Sequence, residues 1–491
     1  MNLAERSDDP APASSAVDVP LVLDVDGTLL LGDLTLEHTI ACAAAGPASA
    51  IEGMRRLARG GRPALKRWLV ETVPMAAAEL PPNPQVLALI EEARAEGRPI
   101  VLASASDQHL VDALAERYGP FDAVLGSDGT TNLSGARKAA ALNARYGQGG
   151  WDYAGDASVD LAVWADARRA ILVSGFGPAK AGLKRRVEAT GKLERVLARP
   201  IDRTGYLRAL RPHQWLKNLL VFVPVLAGHQ LGAGTLLAAL MAWAAFSMAA
   251  SSAYLINDVV DLPNDRRHPT KSRRPIAAGR VPVLHAVVGA AGLLALAAGL
   301  AALLPPAFAL VLLGYVNLTL GYSFVLKRIL MVDVVTLGGL YTSRILAGGT
   351  ATGIVISEWL FAFALLLFMA LAIVKRLVEL IDVRARGGTG AAGRGYTVGD
   401  VEPLGQLAAA CGIGAAIVLA LYINSEAVQQ VYRTPELLWV LWLMLIYWLG
   451  RLLTLTHRGT VDDDPILFAA TDRTTLGLGV AGVAAVLLAA V

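Results

Sequence analysis

The chain has 491 residues, is 55% hydrophobic with a mean hydropathy of +0.50, and carries a net charge of only +3. So much apolar residue excludes an ordinary soluble protein, the length admits more than one domain, and the charge points to no nucleic-acid partner. Cys42 and Cys411 are the only cysteines and stand in different regions, so no disulfide framework is expected.

Residues 1–18 are acidic and rich in Pro, Ala and Ser, with no apolar core, and read as a disordered tail rather than a signal peptide. Residues 19–175 then alternate apolar strands with helical stretches: LVLDVDG, PIVLASAS, AVLGSD, WDYAGD and RAILVS. That order predicts a doubly wound α/β domain with its ligands at the carboxyl ends of the strands. Asp24, Asp26, Thr28, Ser104, Asp156 and Asp160 stand at those ends, and Lys138 opens a helix nearby. These residues suit phosphoryl transfer. A carboxylate attacking a phosphate needs Mg²⁺ to quench the repulsion between them. A second acid two residues on can protonate the leaving oxygen and then activate water.

DVDGT, a strand-end Ser, a Lys and then GDxxxD, in that order, resemble the haloacid dehalogenase superfamily of phosphatases. The resemblance implies a Rossmann-like fold with a small helical cap at about 31–90. It makes Asp24 the nucleophile and Asp26 the acid/base, with Thr28, Ser104 and Lys138 binding the phosphoryl group. Mg²⁺ would be held by Asp24, Asp26 and Asp156, with Asp160 in support.

Residues 176–215 read as a basic amphipathic linker ending in GYLRALRPHQW, an interfacial anchor. Arg211, His213 and Lys217 are also candidates to touch substrate. From 216 to 491 nine spans are predicted: 217–231, 235–256, 282–303, 307–325, 331–348, 357–376, 403–423, 436–454 and 474–490. Lys and Arg concentrate in the even-numbered loops, which places those loops and the N-terminal domain in the cytosol. The chain is expected to be integral to the cell (inner) membrane.

The second span ends in NDVVDLPNDRRHPTKSRRP, residues 257–275. On a helix Asn257, Asp261 and Asp265 form one stripe with Asp258 beside it, although Pro263 should kink the helix and put Asp265 in the loop. Carboxylates so crowded need a cation, and Mg²⁺ takes its remaining ligands from phosphates and water. The following Arg266, Lys271, Arg273 and Arg274 can hold phosphate oxygens that the metal does not cover. The stretch therefore fits a magnesium-bridged, multiply phosphorylated ligand.

NDxxDxxxD at the end of the second of nine spans resembles the UbiA superfamily, an all-α fold of intramembrane transferases, over roughly 205–491. The resemblance implies Mg²⁺ at Asn257, Asp258, Asp261 and Asp265, with Asp258 and Asp261 catalytic. It implies a second motif in YSFVLKRILMVDVV, offering Tyr322, Lys327 and the metal ligand Asp333. Here the chain departs from the paired-aspartate form, because Leu337 stands where a second acid is usual.

RPHQWLKN, NDRRHPTKSRRPIAAG, LAIVKRLVEL, GRGY and DDDPILF narrow the likeness to the polyprenyl-phosphate phosphoribosyltransferase branch. That branch uses phosphoribosyl pyrophosphate and polyprenyl phosphate, and Arg273, Arg274, Lys327, Arg344, Lys375, Arg376 and Arg394 become candidates to bind the several anions. Asp463 and Asp464 reach either the metal and sugar or solvent. The expected protein is thus bifunctional, with the phosphatase removing the 5-phosphate of the transferase product. The alternative is a prenyltransferase acting on an isoprenoid diphosphate beside an independent phosphatase. A transporter fits poorly, since the acids cluster at one membrane face. Lipid length and oligomeric state, a homo-oligomer included, stay open.

Overall fold

Six short parallel strands carry the N-terminal half: β1 (Leu21–Leu23), β2 (Ile100–Asp107), β3 (Ala123–Ser127), β4 (Asp152–Gly155), β5 (Arg169–Ser174) and β6 (Leu193–Ala198). The structure is a computed structural model describing residues 19–73, 79–174, 178–198, 202–391, 394–461 and 465–490. The expected tail (1–18) and the pair Asp463 and Asp464 lie outside the described residues. By packing, the chain divides into two units, Met1–Leu210 with Tyr254–Gly289, and Arg211–Ala253 with Ala290–Val491.

In the first unit the strand order is β3-β2-β1-β4-β5-β6. Strands buried on both faces read as unbroken apolar runs, as LVL does here. Side chains alternate between the faces, so Leu21 and Leu23 join one core cluster and Val22 the other. The chain runs outward in opposite directions from β1 and β4, and a crevice opens at their carboxyl ends. Helices Leu34–Ala44 and Pro47–Thr72 follow β1 directly, and Asp33 caps the first by accepting the Leu36 N–H at 2.9 Å. β6 pairs with β5, so the sheet continues past residue 175, where the sequence suggests the domain ends. The reason is composition: LERVLA is a charged edge strand, exposed at Glu194 and Arg195, and reads as linker when taken alone.

The helical part contains seven helices long and apolar enough to cross a membrane, among the described residues. Two of the nine expected spans are not among them. The segment at 217–231 is a tight helical run, Pro212–Phe222, followed by the short helix Val223–Ala227. The other, Val332–Thr352, has the length but is rich in Gly and Thr and largely buried against protein. A Cβ on Gly348 would collide with the Val221 carbonyl, so glycine lets the two segments touch backbone to backbone. A helix wrapped by protein needs no lipid-facing apolar surface, and its hydropathy falls accordingly.

Candidate active sites

The crevice of the first unit is built by the turns that leave β1, β2 and β4. Asp24 follows β1 and caps the turn Val25–Leu29, accepting the Val25 N–H at 2.8 Å. Asp156 follows β4, and Asp160 lies one turn further on. Carboxylate oxygens of Asp24, Asp156 and Asp160 lie within 4.8 Å of one another. Gly27, at φ +70°, makes room for them, since a Cβ there would stand 2.5 Å from the Asp156 carboxylate. Three crowded carboxylates and hard oxygen donors fit Mg²⁺.

Lys138 is 2% exposed, and its Nζ stands 3.0 Å from Asp24 and 3.9 Å from Asp160. It also donates to the Tyr153 hydroxyl at 2.7 Å, which in turn donates to Asp160 at 2.9 Å. Burial, with Asp24 close by, pushes Asp160 up to about 6. Thr28 is fully buried, and its Oγ1 has no hydrogen-bond partner among the described residues.

Asp26, expected among the metal ligands, stands apart from the three-carboxylate group. One of its oxygens accepts the Leu34 N–H at 2.8 Å and the other accepts the Ser106 hydroxyl at 2.6 Å. Burial, reinforced by Asp33, pushes its carboxyl up to about 7. A carboxyl held there can carry a proton at neutral pH, as a general acid must. The sequence points to Ser104, but that hydroxyl is fully buried and accepts the Ser106 N–H at 3.0 Å. Ser106 is the residue that touches Asp26. Both serines stand in ASAS, and the alternation of a strand could have put either one forward.

The acidic stretch also belongs to the first unit. The helix Ala233–Val260 ends just before Asp261, and Leu262–Arg267 starts a new short helix with Pro263 in its first turn, where no amide donor is needed. Asp265 therefore sits on a helix rather than in the loop. Asp258 and Asp265, both buried, converge on Arg274 Nη1 at 3.1 and 2.6 Å. Asn257 donates to Asp261 at 3.0 Å. Two carboxylates already aimed at one cation position fit a divalent ion. Lys271 and Arg273 are exposed. Arg266 is not, and its guanidinium is taken by the Glu37 carboxylate at 2.7 and 3.1 Å.

The second unit gathers a different set. Asp333, fully buried, is gripped by Arg376 Nε at 2.7 Å and accepts the Tyr396 hydroxyl at 2.5 Å. Arg376 also bonds Glu379 and donates to the Tyr322 hydroxyl at 3.0 Å. Arg394 meets Glu379 at 3.0 Å, Tyr322 at 3.2 Å and Asp333 at 3.6 Å. Four of the candidate residues, Tyr322, Asp333, Arg376 and Arg394, thus lie in one cluster. In place of an open ligand position, the Asp333 carboxylate has two arginines. Glu379 and Tyr396 complete the cluster; both stand in strings quoted above, LAIVKRLVEL and GRGY, and Glu379 follows Arg376 at i, i+3.

Arg344 lies outside this cluster. It donates to Asn218 at 2.8 Å and to Tyr315 at 3.2 Å, and packs over the Tyr315 and Tyr341 rings. The Lys217 ammonium lies 5.9 Å from the centre of the same Tyr341 ring. Lys327 and Lys375 are half-buried.

Residues 219–468 match the UbiA prenyltransferase family. The chain belongs to that family. Residues 21–164 match the haloacid dehalogenase-like hydrolases, so a UbiA-family transferase carries an N-terminal hydrolase domain, and the chain is an enzyme. Together with seven apolar helices, the family makes it an integral membrane protein. An uncharacterized protein, y4nM, of Sinorhizobium fredii is 36% identical over 94% of this chain and 89% of its own. The nodulation protein NoeC of Azorhizobium caulinodans is 34% identical over 55% of this chain and 88% of its own. A decaprenyl-phosphate phosphoribosyltransferase of Mycobacterium tuberculosis is 40% identical over 36% of this chain and 60% of its own.

Proposed function

We propose that the membrane half of this UbiA-family enzyme transfers 5-phosphoribosyl from phosphoribosyl pyrophosphate to polyprenyl phosphate. The hydrolase half then removes the 5-phosphate of the product, leaving a lipid-linked ribose. The observation that carries the reading is the 40% identity, over 36% of this chain, to a decaprenyl-phosphate phosphoribosyltransferase. The supply of arginine and lysine around both acidic motifs supports it, because this donor and acceptor bring three phosphorylated groups where a prenyl diphosphate brings one. The Lys and Arg of the even-numbered loops support a cytosolic position for both halves.

In the transfer, the bond from C1 of the ribose to pyrophosphate breaks and an oxygen of the lipid phosphate takes its place. Asn257, Asp258, Asp261 and Asp265 would hold Mg²⁺, which would supply positive charge against the departing pyrophosphate. Lys271, Arg273, Lys327 and Lys375 bind phosphate oxygens. Asp333 and Glu379 fix Arg376 and Arg394 in place, and Arg394, the more exposed of the two, is the one that can face phosphate.

In the hydrolysis, a carboxylate oxygen of Asp24 attacks phosphorus and the ester oxygen leaves with the proton of Asp26. Asp26 then takes a proton from water, which attacks the aspartyl phosphate and releases inorganic phosphate. Asp24, Asp156 and Asp160 would hold Mg²⁺ here. Ser106 and the Leu34 N–H keep the Asp26 carboxyl in place through both steps.

The test uses purified protein in liposomes with polyprenyl phosphate, Mg²⁺ and donor labelled in the ribose. Wild type moves label into lipid, Asp261→Asn does not, and Asp24→Asn accumulates the phosphorylated lipid. Turnover of an isoprenoid diphosphate with no lipid-linked ribose would replace this reading with a prenyltransferase.

A further inference from the structure

We propose that the hydrolase cleft takes its phosphomonoester from the membrane surface, on the head group of an anchored lipid, and discriminates against free sugar phosphates. This rests on the phosphatase reading above and specifies the substrate class of that site.

The cleft holds about 510 Å³, with the Asp24 and Asp26 carboxylates among its lining and Arg62 and Lys66 contributed by the helix Pro47–Thr72. Turns of the α/β fold form most of the rest, including Ala105, Asp156 and Ser174, but one part of the wall does not come from that fold. It is formed by Pro282, Val283, Leu284 and His285, the residues that open the helix Val283–Ala301. That helix is long and apolar enough to cross a membrane. A span begins at the depth of the lipid head groups, so the wall of the cleft lies where a head-group phosphate lies. A cleft for a soluble sugar phosphate has no use for an apolar lip, yet Leu284 is 56% exposed beside these acids. The cationic side suits the phosphate and the apolar side suits the lipid that carries it.

The wall is also fastened to the hydrolase. Arg266 and Glu37 form a buried pair, their side chains 5% and 1% exposed, and Arg267 meets Glu79 at 2.8 Å. Gly279 packs so closely that a Cβ there would stand 2.9 Å from the Leu31 Cβ, and Leu31 itself lines the cleft. The loop leading into the membrane helix is therefore held against the hydrolase at three points, one of them on a residue that lines the cleft. This is what a site needs if it must meet a substrate confined to a plane.

The full-length protein in phosphatidylcholine liposomes with Mg²⁺ tests this. Three substrates are compared by phosphate release: synthetic polyprenyl-phosphoribose 5-phosphate, phosphatidic acid and ribose 5-phosphate. Because the lipid substrate is supplied ready-made, the result does not depend on the transferase half. Wild type is expected to favour the polyprenyl substrate over ribose 5-phosphate by about 100-fold in kcat/KM, since binding energy from the remote lipid adds to catalysis. His285→Ala and Leu284→Asp each lower that ratio about ten-fold, the scale of one lost contact. Hydrolysis of phosphatidic acid as well would support a lipid phosphomonoester with no demand for ribose. Equal kcat/KM for lipid-linked and soluble substrates, or a ratio unchanged in both variants, overturns the inference alone. Phosphate release that Asp24→Asn leaves intact for every substrate overturns the phosphatase reading and this inference with it.

Discussion

The Asp258 and Asp265 carboxylates, seven positions apart, share a single nitrogen of Arg274. Both acids are buried, so the guanidinium is the cation that lets them coexist when no divalent ion is present. Arg274→Gln is expected to lower the melting temperature of metal-free protein, and added Mg²⁺ to recover more of that loss than it adds to wild type. A melt in detergent with and without Mg²⁺ reads this without any enzyme assay. An equal Mg²⁺ effect in both proteins would separate the two acids from metal binding.

Ser106 and not Ser104 touches the Asp26 carboxyl. Ser106→Ala should lower phosphate release about ten-fold, because an acid that loses a positioning bond donates its proton less well. Asp24→Asn removes the proposed nucleophile and should cost roughly 1,000-fold or more. Phosphate release at equal substrate, with circular dichroism to show that the fold persists, checks both.

Asp333 is bound to Arg376, Arg394 and Tyr396. Asp333→Asn is therefore expected to raise KM for the phosphorylated donor about ten-fold while the Mg²⁺ concentration for half activity stays put. Arg376→Lys should resemble it, since an ammonium cannot reproduce a guanidinium fork. A rise in the Mg²⁺ requirement of Asp333→Asn would instead make the carboxylate a metal ligand.

Asp152 is fully buried at the start of β4 and takes hydrogen bonds from Arg98 at 2.6 Å and Arg168 at 2.7 and 2.8 Å. Asp152→Asn leaves two cations without a countercharge. Both arginines keep some contact with solvent, so the cost falls at the low end for buried pairs, about 3 kcal/mol. Thermal denaturation should show a drop of several degrees, with Mg²⁺-dependent activity per folded molecule retained.

The motifs proposed to carry chemistry were legible because each is local. DVDGT and GDxxxD fix their own strand ends, and NDxxDxxxD needs only two adjacent helical turns. What escaped depends on distant partners. Arg266 reads as a phosphate ligand until Glu37, 229 positions away, is brought against it. Arg344 reads as a free cation until Asn218, Tyr315 and Tyr341 enclose it. Residues 331–348 read as one more membrane span, but in the helix Val332–Thr352 the glycines and threonines serve packing against protein. Pro263 reads as a break, and it is one, but the chain re-enters a helix at once and keeps Asp265 beside Asp258.

The membership of Tyr254–Gly289 in the same packed unit as Met1–Leu210 has a practical consequence for taking the enzyme apart. A fragment ending at Leu210 would contain every acid of the hydrolase. It would still lack Arg266 against Glu37, Arg267 against Glu79 and the glycine that rests on Leu31 and Pro81. The two domains are interleaved along the polypeptide like stitches through cloth, and a cut at the linker removes part of the hydrolase unit along with the transferase.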